Sequence, residues 1–184
     1  MKFFQDKRSR VKIIKTFDRI GRDLYNIDSE VAMEYLSWLE RKTTLFRQSV
    51  DKSGYGKQPD DLSRGDIVWV EFGINVGAEL SDYATKGHYA IVWAVDLGNV
   101  IVIPLTSKPS VGSSLTYELG IIPGLINGYD ANISYVKLDA IRSISKRRIG
   151  RMATKDGGKV KLSDDIIANI ANLIKTNFVD NVPL

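Results

Sequence analysis

Apolar residues near the start of the chain recur at the three- and four-residue spacing of amphipathic helices. The first run covers residues 8–24 and brings to one face Val11, Ile14, Phe17, Ile20 and Leu24. A second run begins after Asp28 or Ser29, either of which can cap the free backbone amides of a helix, and it continues to Phe46. The pattern therefore predicts a hairpin of two helices within residues 1–50.

The pattern changes after residues 51–63, a stretch without periodicity whose Gly, Ser, Asp and Pro content is typical of a linker. Short apolar runs then predict strands, and the Gly98-Asn99 turn joins two of them in a hairpin. The predicted strands cover residues 67–72, 88–95, 100–105, 114–119 and 132–144. A last helix is predicted from Ser163, with two aspartates in its first turn, where carboxylates complement the helix dipole. This order predicts an α+β fold, in which residues 64–184 form a small, strongly bent sheet or barrel with a C-terminal helix.

Composition limits the classes of protein that the chain can belong to. With 184 residues, 43% of them hydrophobic, the chain can bury a core and has room for one domain with an appendage. It contains no cysteine, which excludes a disulfide framework, a thiolate zinc site and a cysteine nucleophile. The start lacks the apolar stretch of a signal peptide, and no run reaches about 18 apolar residues. We therefore expect a soluble, cytoplasmic protein that does not bind a membrane.

Positive charge is concentrated in one part of the sequence, although the net charge of the whole chain is only +4. Residues 137–161, called the basic block below, carry nine basic and two acidic side chains, whereas residues 64–136 carry three and seven. Such a concentration favours a partner that bears phosphates, although the same charges can also form a solvated surface.

Several short segments of the second part of the chain occur in an order and spacing that is typical of one protein family. They are Arg64-Gly65-Asp66-Ile67-Val68-Trp69-Val70, Gly77-x-Glu79, Ile103-Pro104-Leu105-Thr106-Ser107 and Asp139-x-Ile141-Arg142-Ser143-Ile144. Together they resemble the MazF/PemK family of toxins from bacterial toxin–antitoxin systems. The resemblance covers about residues 64–178 and leaves out the predicted helical hairpin.

The resemblance implies a Src-homology-3-like barrel that forms a homodimer and cleaves single-stranded RNA at short sequences, without a metal or another cofactor. It also implies that a small acidic antitoxin holds the toxin inactive. Thr106 falls on the family's threonine, which helps to hold the scissile phosphate, and Lys137-Leu138-Asp139 stands in place of a catalytic Arg-x-Asp. Three further residues depart from the family's pattern. The family's Arg-Pro at the opening of a strand reads His88-Tyr89, and the Gln that often follows the Arg-x-Asp reads Ala140.

Cleavage of RNA without a metal needs three things from the side chains. These are a base for the 2′-hydroxyl proton, a proton donor for the leaving 5′-oxygen, and positive charge or hydrogen bonds on the phosphate. His88 is the only histidine in the chain, and an imidazole can act as acid or base near neutral pH. We hypothesise that His88 and Asp139 share the acid and base work, while Thr106 and Lys137 hold the phosphate.

Each of these residues also has a purely structural interpretation. His88 at a strand end can hydrogen-bond the neighbouring loop, and Thr106 can form a turn before Pro109. Asp139 can pair on the surface with a cation close in sequence, in a contact that contributes little.

Other residues are predicted to contact RNA without taking part in catalysis. Hydroxyls and cations of this set can bind backbone phosphates, and its tyrosine can stack on a base. The set is Tyr83, Lys86, Ser107, Lys108, Arg142, Lys146, Arg147 and Arg148. Tyr89 and Trp69 are further candidates for stacking, although aromatic residues of a small barrel more often belong to its core.

The sequence leaves two functions open. The first is an endoribonuclease toxin, and the second is a barrel that binds RNA or a partner protein without cleaving, because the family's arginine and glutamine are replaced. The helical hairpin over residues 1–50 can cover the RNA groove, add a dimer contact, or only pack on the barrel.

Overall fold

A computed structural model of the chain describes residues 3–52, 61–77, 79–81, 87–125, 132–150 and 159–180. Most of the predicted linker, residues 53–60, lies outside this set. Two helices come first, α1 (Lys7–Leu24) and α2 (Ser29–Val50). Each is capped by an aspartate whose carboxylate accepts hydrogen bonds from amides of the first turn, Asp6 for α1 and Asp28 for α2. Of the two caps predicted for α2, Asp28 is the one in use.

Within the described residues, one curled antiparallel sheet follows the N-terminal helices, and a C-terminal helix closes it. The strands are β1 (Asp66–Val70), β2 (His88–Val95), β3 (Asn99–Thr106), β4 (Thr116–Ile121), β5 (Ile133–Lys137), β6 (Arg142–Ser145) and β7 (Val160–Lys161), and the helix is α3 (Asp164–Lys175). The strand order is β4-β5-β3-β2-β1-β7, with β6 also paired to β3. The predicted α+β fold, with a small bent sheet and a closing helix, is confirmed.

The single strand predicted over residues 132–144 is in fact two strands. β5 pairs with Leu105 and Thr106 at one end of β3, whereas β6 pairs with residues 99–102 at the other end. The chain therefore turns between them, in a short 3₁₀ segment that buries Leu138 and Ala140. The pattern of apolar residues did not reveal this break, because the turn buries apolar residues as a strand does.

Both faces of the central strands are covered, which explains why β2 and β3 have nearly continuous apolar sequences. On one face Ile91 and Ile103 belong to a core that includes Ile170 of α3. On the other face Val92 and Val102 belong to a second core with Phe72, Ile144 and Ile149. This two-sided burial specifies the register of the strands, because a slip by one residue would exchange the two faces.

Helix α2 supplies the buried contacts of the N-terminal pair, through Trp38 and Leu45. Helix α1 has no buried residue, and part of its predicted apolar stripe is exposed, namely Val11, Ile14 and Phe17. In the described part of the chain, no helix combines the length and the apolar character that crossing a membrane requires.

Candidate active site

Two of the predicted site residues lie at the same end of the sheet, where β2 begins and β3 ends. Ala90 of β2 pairs with Pro104 of β3, and continuing this antiparallel register by two residues sets His88 opposite Thr106. Side chains two residues apart on a strand share a face. His88 and Thr106 therefore lie at one end and on one face of the sheet.

The cross-strand pairing that includes Thr106 continues through β5 and β4. Thr106 pairs with Tyr135 of β5, and Tyr135 pairs with Glu118 of β4. Four adjacent strands thus each contribute one polar side chain: His88, Thr106, Tyr135 and Glu118, called the polar row below. Sequence reasoning missed Tyr135 and Glu118, because only the long-range pairing of β4 and β5 brings them beside Thr106.

Within the polar row, Tyr135 of β5 and Glu118 of β4 are cross-strand neighbours. Loss of solvent contact raises the pKa of Tyr135 most, and the negative charge and hydrogen bond of Glu118 raise it further. Both effects favour the protonated phenol.

The Thr106 hydroxyl takes part in the turn that the structural interpretation expected. Its Oγ1 accepts a hydrogen bond from the backbone N–H of Lys108 at 3.1 Å. A hydroxyl that accepts in this way keeps its own hydrogen for donation, and no acceptor among the described residues takes it. Ser107 and Lys108 follow on an exposed bend. The turn is thus compatible with a hydroxyl that donates to a bound anion.

Asp139 lies in the short turn after β5 and pairs with Lys137, with 3.1 Å between Nζ and Oδ2. The Lys137 side chain is 16% exposed and that of Asp139 is 43% exposed. Lys137 lies two residues beyond Tyr135 on the same face of β5, so the register sets Tyr135, and not Asp139, level with Thr106. The surface pair that was one interpretation of Asp139 is therefore present.

A buried aromatic ring connects His88 with the basic block. Phe72, two residues after β1, is fully buried, and its ring centroid lies 6.4 Å from that of His88. The guanidinium of Arg142, a half-buried residue of β6, lies 5.4 Å from the centroid of the same ring. A histidine and a cation thus contact one fixed ring.

Two further arginines of the basic block, Arg147 and Arg148, are largely or partly buried. Arg147 is only 8% exposed. Arg148 donates hydrogen bonds to the carbonyl oxygens of Glu71 and Phe72, at 3.0 and 2.7 Å. Burial, followed by the positive charge of Arg142, lowers the pKa of Arg148. Lys146 is half-buried.

The predicted stacking residues have different positions. Tyr89 is 3% exposed and meets Trp69 edge to face, with ring centroids 5.1 Å apart, in the core beneath α3. The structural interpretation therefore holds for these two. Tyr83 and Lys86 lie outside the described residues. Among the residues that the structure describes, no group of three or more His, Asp or Glu side chains could hold a metal ion.

Comparison with known proteins gives a family but no curated relative. Residues 63–178 match the family described as PemK-like, MazF-like toxin of type II toxin–antitoxin systems. No curated protein matches the chain significantly. A solved structure of the Mycobacterium tuberculosis toxin MazF-mt6 is 19% identical, covering 61% of this chain and 95% of its own, with a TM-score of 0.42. The crystal structure of an Mtb toxin is 20% identical, covering 50% of this chain and 92% of its own, with a TM-score of 0.38. The resemblance seen in the sequence is confirmed by the family match, which spans more than half of the 184 residues, and the chain belongs to the PemK-like, MazF-like toxins.

Proposed function

We propose that the chain is a metal-independent endoribonuclease that cleaves single-stranded RNA at short specific sequences, as the toxin of a toxin–antitoxin pair. The observation that carries this proposal is the polar row, in which a strand-opening imidazole and a strand-closing hydroxyl share one face of the sheet. RNA supplies its own nucleophile, so the protein has only to transfer protons and to stabilise charge on the phosphate. Membership of the toxin family supports the same class of reaction.

The proposed reaction begins when a base removes the proton of the 2′-hydroxyl. The 2′-oxygen then bonds to the adjacent phosphorus, and the bond from phosphorus to the 5′-oxygen breaks as an acid gives that oxygen a proton. One product ends in a 2′,3′-cyclic phosphate and the other begins with a 5′-hydroxyl. The step consumes neither water nor an oxidant, so atoms and charge balance.

We assign the acid and base work to His88 and Asp139, and the phosphate contacts to Thr106 and Lys137. Each positioned acid or base contributes about 10²- to 10⁴-fold to the rate. The Thr106 hydroxyl donates to a phosphate oxygen, while Lys137 adds positive charge and holds Asp139 beside it at 3.1 Å.

RNA beyond the scissile phosphate is bound by cations, a hydroxyl and tyrosine rings. Ser107, Lys108, Arg142, Lys146 and Lys86 are proposed to contact backbone phosphates, and Tyr83 is proposed to stack on a base. Tyr135, half-buried beside Glu118 in the polar row, is a better candidate for stacking on a base than the core residues Tyr89 and Trp69.

Two protein partners complete the proposal: a second copy of the chain in a homodimer, and a small acidic antitoxin, all acting in the cytoplasm. Residues 137–161 carry nine basic and two acidic side chains, so an acidic partner and RNA would compete for the same charges.

A second candidate function is a barrel that binds RNA without cleaving it. Two observations favour it, the histidine where the family has arginine and the engagement of Asp139 by Lys137. The two candidates differ in their products, because only the nuclease shortens the RNA.

The test is cleavage of a fluorogenic single-stranded RNA in the presence of a metal chelator. We expect the unchanged protein to cleave, and His88→Ala and Thr106→Ala each to lose about 10²-fold or more of the rate. Ser143→Ala, which removes an exposed hydroxyl of β6, is the matched control and should keep full activity. Undiminished cleavage by both variants would remove the assignment, and intact RNA with the unchanged protein would favour the second candidate.

A further inference from the structure

The family match begins at residue 63, so helix α2 lies outside it. One α2 residue is nevertheless seated against the segment that follows β1. Trp38 is 4% exposed, and its indole ring occupies the space where a side chain at position 73 would lie. Gly73 also has a φ of +69°, which favours glycine. The two residues therefore pack directly against each other, and helix α2 is fitted to the segment that follows β1.

Trp38 also contacts a cation that belongs to the basic block. The Arg148 guanidinium lies 5.3 Å from the centroid of the Trp38 ring. The same guanidinium donates to the carbonyl oxygens of Glu71 and Phe72, at 3.0 and 2.7 Å. Arg148 is thus held by a ring supplied by α2 while its own donors fix the backbone directly after β1.

A second contact between α2 and this backbone segment lies three residues further along the helix. Arg41 donates two hydrogen bonds of 2.7 Å, from Nε and Nη2, to the two carboxylate oxygens of Glu71. A bidentate pair of this kind constrains orientation as well as distance. The side chain of Glu71 and the carbonyl oxygens of Glu71 and Phe72 are therefore all held by arginines.

Phe72 carries these contacts to the candidate site. Its buried ring lies 6.4 Å from the His88 ring and 5.4 Å from the Arg142 guanidinium, measured from the Phe72 centroid. A shift of the backbone at residue 72 would move the ring against which both groups rest. Because interiors are closely packed, the imidazole would have to follow.

We propose that Trp38 is a positioning residue for the RNA-cleaving site, and that it acts through Arg148 and Phe72 to orient His88 and Arg142. The inference rests on the proposed function for its effect on catalysis. Helix α2 is, on this view, neither a cover nor a decoration, but a support on which the imidazole depends for its orientation.

The experiment uses the full chain and exploits the fact that His88 is its only histidine. The carbon-bound imidazole protons of His88 are then the only histidine signals in a proton–carbon NMR spectrum. The variants are Trp38→Ala and the conservative Trp38→Phe, with Phe46→Ala as the control. Phe46 lies on the same helix and is 68% exposed.

We expect Trp38→Ala to shift or broaden the His88 signals. It should also lower kcat about 10- to 100-fold and change KM less than about twofold, because a small misplacement of a catalytic group acts on the reacting geometry more than on substrate binding. Trp38→Phe should restore both readouts in part, and Phe46→Ala should leave both unchanged. The proposal would be overturned if the His88 signals of Trp38→Ala are unchanged, or if they shift while kcat stays the same. Equal effects of Trp38→Ala and Phe46→Ala would also overturn it.

Arg148→Lys keeps the charge but loses the planar donor pair, and it serves if Trp38→Ala does not fold. It should displace the His88 signals in the same direction, and their constancy would overturn the proposal. If the unchanged chain does not cleave RNA, the proposed function fails, while the His88 signals still report whether Trp38 positions the imidazole.

Discussion

Substituting Gly73 by alanine tests quantitatively the contact between helix α2 and the segment that follows β1. Gly73 has a φ of +69°, and a Cβ atom there would overlap the indole ring of Trp38. The left-handed backbone costs alanine about 1–2 kcal/mol. Crowding a closely packed ring adds about 1–3 kcal/mol. We therefore expect Gly73→Ala to lower the free energy of unfolding by about 2–5 kcal/mol.

Gly77→Ala is the matched control for this substitution. Gly77 has a φ of +60°, but nothing lies within 4 Å of the position that its Cβ would take. It should therefore cost only the backbone part, about 1–2 kcal/mol. The difference between the two variants, about 1–3 kcal/mol, measures the crowding against Trp38.

Urea unfolding of the two variants, each in the unchanged chain and in a Trp38→Ala background, completes a double-mutant cycle. Without the indole ring, Gly73→Ala should cost no more than Gly77→Ala. Equal costs in the unchanged chain would contradict the reasoning. So would a difference of the same size in the Trp38→Ala background, because the crowding would then come from another group.

Three further predictions concern other parts of the molecule. Asp28→Ala removes the carboxylate that caps α2 and should cost about 1 kcal/mol in urea unfolding, whereas a cost near zero would show that the cap is not needed. Arg142→Gln should reduce by about 0.7 the slope of the logarithm of the RNA-binding constant against the logarithm of salt concentration, measured with single-stranded RNA. Lys42→Gln on α2 is the control and should leave this slope unchanged. Equal slopes for the two variants would exclude a phosphate contact of Arg142. Glu118→Gln should lower the pKa of Tyr135, seen as earlier tyrosinate absorbance in an alkaline titration, because it removes a negative charge beside the phenol. Because the pKa is raised in the folded state, its contribution to stability is present below the ordinary value near 10 and is lost as pH rises through the folded value. The free energy of unfolding should therefore fall less across that pH range in Glu118→Gln than in the unchanged chain.

Periodicity alone was enough to predict most of the helices and strands. The spacing of Val11, Ile14 and Phe17 predicts a helix that is present, and the continuous apolar runs of β2 and β3 follow from burial on both faces. The two-residue strand β7 was missed, because a segment this short carries no period. The break between β5 and β6 was missed because Leu138 and Ala140 of the turn are as buried as strand residues.

The candidate site could be predicted only in part, since its composition depends on long-range strand pairing. His88 and Thr106 stood out as polar residues at the ends of apolar strands. Tyr135 and Glu118 became visible only through the register that sets them beside Thr106. No local signal distinguishes them from other polar residues on the exposed face of a strand. The contact of Trp38 with Arg148 likewise joins residues 110 positions apart in the sequence, beyond the reach of any local pattern.

The central claim is that the chain cleaves RNA by attack of the 2′-hydroxyl at the polar row, and the ends of the products test it most directly. Mass spectrometry of a short single-stranded RNA after incubation with the chain should find fragments with 2′,3′-cyclic phosphate and 5′-hydroxyl ends, and it should find far fewer with His88→Ala. The same RNA with a 2′-deoxyribose at the cleavage position should stay intact. Cleavage of that deoxy substrate, or undiminished fragments with His88→Ala, would contradict the account.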